Sequence, residues 1–242
     1  MLLKKALTFT VYDYIDCEFP YGIHKLTAAE AGARAIGKDW PSIGETMIGT
    51  ARMDNIQKCL VDVLEQGIPG DVIEAGVWRG GASIFMRGIM SAYGSMKNQF
   101  LADSFKGLPR PDLNSYPQDK GLDLSGHPSL TCSLKDVKHN FERYGLLDDK
   151  LHFLEGWFKD TLGSLHEHTW SLVRLDGDMY ESTMQSLEAL YPNLQRGGYV
   201  IQDDYNCISQ ARMATDDYRK KYGITEPIQR IDWAGCYWKK EN

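Results

Sequence analysis

The chain has 242 residues, of which 43% are hydrophobic and 25% charged, the composition of an ordinary soluble globular protein with room for one α/β domain and a substantial core. Disordered, collagenous and coiled-coil chains are excluded by those proportions. With 27 Lys+Arg against 33 Asp+Glu the formal net charge is −6, so nonspecific attraction to nucleic acid is not expected and small molecules are the expected partners.

The opening stretch, MLLKKALTFTVYDYIDCEF, has lysines near its front but no apolar run leading into a small-residue cleavage site, and nowhere do about 18 apolar residues run together. It reads as neither a signal peptide nor a membrane span. Phe9, Tyr12, Tyr14, Phe19 and Tyr21 cluster early, and Gly22, Gly32, Gly37, Gly44 and Gly49 break any long pattern, so residues 1–50 read as an N-terminal extension of short elements. Its aromatic stretch is the candidate surface for an acceptor or for a homo-oligomer contact. Cys17, Cys59, Cys132, Cys207 and Cys236 are scattered without CxxC spacing, which suggests neither a disulfide framework nor a zinc site and makes a reducing cytoplasm the expected compartment.

Between Ala51 and Gln66, the residues Met53, Ile56, Leu60, Val63 and Leu64 recur at helical spacing, and Gly67 with Pro69 supplies the stop. Strand-like and helix-like segments then alternate. Strands are predicted at Asp71–Ala75, Gln99–Asp103, Leu151–Gly156, Ser171–Asp176 and Gly198–Asp204, and helices near Ala82–Tyr93, Leu134–Tyr144, Phe158–Leu165 and Ser182–Leu194. That order predicts βαβ units and a mostly parallel sheet in a domain over residues 51–242. A helix over Ser209–Tyr222 and the runs PIQRID and AGCYWKK follow, the last two as an antiparallel edge hairpin. Residues 106–132, rich in proline, glycine and aspartate, interrupt the sheet after its second strand. A loop of that length reads as a lid over a site, and almost as readily as a disordered surface insertion.

Ligands of open α/β sheets bind beyond the carboxyl ends of the strands. Here those ends are acidic: Glu74-Ala-Gly-Val-Trp-Arg-Gly-Gly81, Asp103-Ser-Phe105, Asp176-Gly-Asp178 and Asp203-Asp204-Tyr205. The first lacks G-x-G-x-x-G spacing, which disfavours NAD. Glu74 can face an ammonium and Asp103 can accept from both hydroxyls of a ribose, a pairing that suits S-adenosylmethionine. A packing turn with a helix-capping acid accounts for the motif equally well. Asp176, Asp203 and Asp204, completed by water, form the oxygen set a hard ion such as Mg²⁺ takes, with Asp178 beside them. Carboxylates so crowded repel and need a metal or a basic partner, unless they are solvated loop residues. The six histidines show no metal spacing, and Cys207 has no histidine near it in sequence and reads as a small buried hydrophobe.

Taken together, PGDVIEAGVWRGGASIFMRG, LADSFKGLP, FLEGWFKDTL, RLDGDMYEST and GGYVIQDDY resemble the macrocin O-methyltransferase family, whose members methylate sugar hydroxyls of macrolides, aminocoumarins and related natural products. The resemblance runs from Ser42 to about Tyr205. It implies a class I S-adenosylmethionine-dependent methyltransferase fold, a Rossmann-like sheet with helices on both faces, with S-adenosylmethionine as donor and a Mg²⁺ site. By the same resemblance Glu74, Ala75, Gly76, Val77, Trp78, Arg79, Gly81 and Ser83 form the methionine-binding region. Asp103, Ser104 and Phe105 match the ribose and adenine motif, Gly156-Trp157 the adenine-flanking turn, and Thr46-Met47 a donor-touching segment. Asp176, Asp203 and Asp204 match metal ligands, Asp176 also adjoins the donor, and Asp178 matches the general base. A sugar on a natural product or glycan is the implied acceptor, with a catechol-like phenol also open. A metal-dependent phosphoesterase or other hydrolase, and a donor-binding scaffold without catalysis, are the rival readings.

Overall fold

The computed structural model describes residues 1–10, 14–16, 23–25, 27–41 and 43–241. The N-terminal region holds helix α1 (Leu2–Leu7), an antiparallel pair β1 (Tyr14–Asp16) and β2 (Ile23–Lys25), and helix α2 (Ala28–Ala35). Thr27 and Glu30 close a reciprocal capping box at the start of α2. The side chains of Tyr12, Tyr14, Phe19 and Tyr21, and Cys17, lie outside the described residues. Leu7 is fully buried in the same core as the next helix, α3 (Gly49–Glu65), so the N-terminal extension packs into the main domain.

Five parallel strands follow: β3 (Asp71–Ala75), β4 (Gln99–Asp103), β5 (Leu151–Glu155), β6 (Trp170–Leu175) and β7 (Leu194–Gln202). The C-terminal strands β8 (Gln229–Arg230) and β9 (Cys236–Lys239) add the expected antiparallel edge, giving the order β5-β4-β3-β6-β7-β9-β8. Every residue of β6 is buried, as a central strand covered on both faces requires. On one face α1, α3, α4 (Gly81–Ala92) and α5 (Leu134–Arg143) contribute Leu7, Ile56, Leu60, Ile84, Val137 and Phe141. On the other, α7 (Tyr180–Leu190) and α8 (Ser209–Tyr222) pack Leu187, Leu190 and Tyr218 against Trp170 and Trp238. Between β5 and β6 the predicted helix is split into α6 (Phe158–Thr161) and a 3₁₀ turn, Leu162–Leu165.

Most element boundaries fall within two residues of the sequence expectation, and the largest difference lies between α7 and β7. The helix predicted to reach Leu194 ends at Leu190, because Pro192 opens a 3₁₀ turn there, and β7 begins at Leu194 rather than Gly198. Residues 106–132 lie mostly exposed, with short 3₁₀ turns at Pro117–Asp119 and Pro128–Leu130, and are anchored by a fully buried Asp119. Cys59, Cys132, Cys207 and Cys236 are all free. No helix among the described residues is long and apolar enough to cross a membrane.

The sheet sets the rim by continuing its hydrogen bonding past the strand ends. Gly76 N donates to Ala102 O at 2.9 Å, Gly156 N to Asp103 O at 2.9 Å, Asp176 N to Ala75 O at 2.8 Å and Asp203 N to Leu175 O at 2.9 Å. The chain leaves β3 for β4 on one side and returns to β6 on the other, so β3 and β6 flank the switch point where such sheets bind ligands.

Candidate active site

A cavity of about 400 Å³ opens over that switch point. Its floor is the turn from β3 into α4. Gly76 has φ +93°, and a Cβ there would lie 1.8 Å from the carbonyl oxygen of Asp176, so only glycine lets the end of β3 lie flat against the end of β6. Gly81 N donates to Glu45 O at 3.0 Å, which brings Thr46 and Met47 from the N-terminal region onto the cavity wall. Trp78, Phe105 and Asp178 are non-glycine residues with φ of 48°, 53° and 58°, so strained backbone collects on this rim.

Asp103 holds the turn together. One of its oxygens accepts from Val77 N at 2.6 Å and Trp78 N at 3.2 Å, and the other from Phe105 N at 2.7 Å. Burial nonetheless holds its carboxyl above the usual range. Glu74 is likewise engaged: Arg174 Nη1 donates to it at 2.5 Å and Ser83 Oγ donates to its other oxygen. Burial pushes Glu74 up to about 7 against the pull of Arg174.

The aspartates gather as the sequence suggested. Asp176, Asp203 and Asp204 can each offer an oxygen with all three within 4.8 Å of one another. Asp203 is the most constrained, taking Arg174 Nη2 at 2.5 Å on one oxygen and Arg52 Nη1 on the other. Arg174 Nη1 also reaches Asp176 at 2.9 Å, and Arg52 Nε reaches Asp232 at 3.1 Å. Asp204 has no ammonium or guanidinium partner among the described residues; its side chain accepts from Asp178 N at 3.3 Å. Burial first, then the neighbouring carboxylates, raises Asp176 to about 6 and Asp178 to about 7, and lifts Asp204 well above the ordinary range. A carboxyl near 7 on a cavity wall is poised to take up a proton.

Residues 4–240 match the family described as Macrocin-O-methyltransferase (TylF). The chain belongs to the macrocin O-methyltransferase family. It is 46% identical over 241 residues to the 8-demethyl-8-(2,3-dimethoxy-α-L-rhamnosyl)-tetracenomycin-C 4'-O-methyltransferase of Streptomyces olivaceus, covering 98% of this chain and 90% of that protein. It is 42% identical over 243 residues to the Mycinamicin III 3''-O-methyltransferase of Micromonospora griseorubida, covering 99% and 94%. The solved structure of the O-methyltransferase NovP superposes with a TM-score of 0.91 at 40% identity, covering all of this chain and 97% of that one. This macrocin O-methyltransferase family member is therefore an S-adenosylmethionine-dependent O-methyltransferase with the class I fold. The family match reaches residue 4, taking in the first forty residues that the sequence motifs left unmatched.

In this methyltransferase, Thr46, Met47, Glu74, Gly76, Val77, Trp78, Gly81, Asp103, Ser104, Gly156, Trp157 and the four aspartates all line the cavity. Ala75, Arg79, Ser83 and Phe105 do not. Ala75 and Phe105 are packed in the core, Ser83 is spent on Glu74, and Arg79 Nη1 donates to Pro41 O and Gly44 O, fastening the N-terminal segment. Sequence reasoning missed Arg52, Arg174 and Asp232. Crowded strand-end carboxylates called for a cation, and an arginine two residues before Asp176 on the same strand face was the available signal. Trp40, Trp233, Arg110, Asp112, Lys159 and Glu181 on the cavity wall were also missed.

Proposed function

We propose that this enzyme moves a methyl group from S-adenosylmethionine to a sugar hydroxyl of a natural-product glycoside, with Mg²⁺ held by Asp176, Asp203 and Asp204. The observation that carries the reading is the juxtaposition of that acidic cluster, with Asp178 among it, and the glycine turn on one cavity wall. The donor set fits a divalent cation: Glu74, Asp176, Asp178, Asp203 and Asp204 face only the guanidiniums of Arg52 and Arg174, and neither of these hydrogen-bonds to Asp204 among the described residues. Asp203 can keep both arginines and still offer a lone pair, since an ionised carboxylate accepts about four hydrogen bonds or ligands. When bound, Mg²⁺ supplies Lewis-acid stabilisation of a developing alkoxide and a template for the acceptor.

The chain's own residues do the rest. Glu74 and the turn through Gly81 receive the amino-acid end of the donor, Asp103 and Ser104 the ribose, and Gly156-Trp157 flank the adenine. Asp178 takes the hydroxyl proton as the acceptor oxygen attacks the sulfonium methyl. The new O–CH₃ bond forms while the S–CH₃ bond breaks, and its electron pair stays on sulfur as S-adenosylhomocysteine. Trp40, exposed on the cavity wall, offers an aromatic face for the apolar side of a sugar ring, while the Trp233 ring is covered by Lys38 and Arg52. Relatives named for methylating the 4'-oxygen of a rhamnosyl tetracenomycin and the 3''-oxygen of mycinamicin III support a glycoside acceptor. The scattered cysteines, without CxxC spacing, support a reducing, cytoplasmic setting.

Calorimetric titration of EDTA-treated protein with S-adenosylhomocysteine and then Mg²⁺, for wild type and Asp204→Asn, tests the two sites separately. Methyl transfer is then followed by mass spectrometry on 8-demethyl-8-(2,3-dimethoxy-α-L-rhamnosyl)-tetracenomycin C, mycinamicin III and a catechol. Heat from both titrants, loss of the Mg²⁺ signal in the variant, and methylation of a glycoside rather than the catechol are expected. Turnover of the catechol alone would overturn the sugar assignment.

A further inference from the structure

Helix α7 starts two residues after Asp178, and its own sequence does not cap it: Met179 occupies the N-cap position and makes no side-chain cap. The first N–H groups of a helix have no partner within it, so another group must satisfy them. Asp119 does so from residues 106–132. One of its oxygens accepts from Tyr180 N at 2.7 Å and the other from Glu181 N at 3.0 Å, with Asp119 itself fully buried. A carboxylate at this place also meets the positive end of the helix dipole.

The clamp ties two walls of the cavity together. Asp119 N donates to Tyr116 O at 3.1 Å, Leu122 N to Asp119 O at 3.0 Å, and the Tyr116 and Tyr180 rings lie 6.2 Å apart, so the carboxylate cannot shift without its segment. Leu108, Arg110 and Asp112 line the cavity from that segment, and Glu181, Ser182 and Gln185 line it from α7. Asp178 lies in the left-handed region at φ 58°, and Met179 N donates to Gly177 O at 2.6 Å. In so tight a turn, the direction of the Asp178 side chain follows from where α7 begins.

We propose that Asp119 is a positioning residue: it fixes the first turn of α7 from the 106–132 segment, so that the docked segment and the oriented Asp178 carboxyl form one unit. The consequence for catalysis rests on the role given to Asp178; the clamp itself does not.

Hydrogen–deuterium exchange on the full-length protein, read by mass spectrometry for wild type, Asp119→Asn and Asp119→Ala, measures the clamp without an acceptor. Asp119→Ala is expected to speed exchange at residues 178–182 and 107–124 together, by roughly 2- to 30-fold, the span that loss of an N-cap corresponds to. Asp119→Asn, which keeps one acceptor oxygen, recovers part of the protection, and should the alanine variant not fold, the asparagine variant carries the comparison. Exchange in β3 and α4 and the affinity for S-adenosylhomocysteine stay as in wild type. With the rhamnosyl tetracenomycin as acceptor, kcat falls while the KM for S-adenosylmethionine holds. Wild-type exchange at 178–182 in both variants, or an equal rise in every segment, overturns the proposal. Loosened 178–182 amides with undiminished kcat would refute the positioning role, leaving Asp178→Asn to judge the base separately.

Discussion

Glu74 and Arg174 are register partners across β3 and β6, and their side chains meet at 2.5 Å with each 1% exposed. Because they face one another on the same side of a parallel pair, the guanidinium reaches from the donor turn to Asp176 and Asp203 and joins both halves of the site. Removing one partner of a buried ion pair leaves the other charge without compensation. Arg174→Met is therefore expected to destabilise the protein by about 3–5 kcal/mol, measured by urea denaturation, and to abolish S-adenosylhomocysteine binding. Arg174→Lys, with a single ammonium, cannot span Glu74 and Asp203 and should recover only part of either.

Asp178, like Asp204, has no arginine hydrogen bond among the described residues, and burial with the charges of Asp176 and Asp203 places it at about 7. Asp178→Asn keeps the shape and loses the proton acceptor. Turnover should drop by roughly 10²- to 10⁴-fold, the usual contribution of a general base, while calorimetry finds the S-adenosylhomocysteine affinity intact. Near wild-type turnover would take the base role away from Asp178.

Much of this was legible in the chain. β3 and β4 were read to the residue, because each is a short apolar run bounded by turn residues, and α8 stops where Gly223 takes φ 65°. The acidic cluster was legible because its members end neighbouring strands, so topology alone brings them together. Besides Arg174 within β6, what escaped arrives from outside the strand ends. Arg52 reaches Asp203 across 151 residues of sequence, and Asp119 caps α7 across 61, and neither has a local pattern to announce it. Arg79 and Ser83 were read as donor contacts from their place in the motif, whereas their side chains turn away to fasten the N-terminal segment and Glu74. The need for counter-charge was foreseen; that two arginines meet part of it was not.

Gly76→Ala separates the turn from the rest of the core. At φ +93° a side chain already costs about 1–3 kcal/mol, and its Cβ would sit 1.8 Å from Asp176 O, so the end of β6 has to move. Loss of S-adenosylhomocysteine binding together with a lower melting temperature is expected. Gly94→Ala is the control: φ is 61° there but nothing lies within 4 Å, so strain alone should lower the melting temperature with donor binding unchanged. Equal effects at the two positions would mean that contact between the turn and Asp176 does not shape the site.

Asp204 gives the sharpest test of the metal, because no guanidinium or ammonium among the described residues pairs with it, Arg52 offsets its charge only through space, and Asp178, Asp176 and Asp203 crowd it. In the metal-free protein that charge is a burden, so Asp204→Asn should melt at or above the wild-type temperature once both are treated with EDTA. Adding Mg²⁺ should raise the wild-type melting temperature, as any ligand specific to the folded state does, and leave the variant where it was. Chelation should also stop methyl transfer, with Mg²⁺ restoring it. If the chelated enzyme turned over at its full rate and Mg²⁺ moved neither melting curve, Arg52 and Arg174 would be the whole of the counter-charge, and the aspartates would serve to orient Arg174 and Asp178 instead.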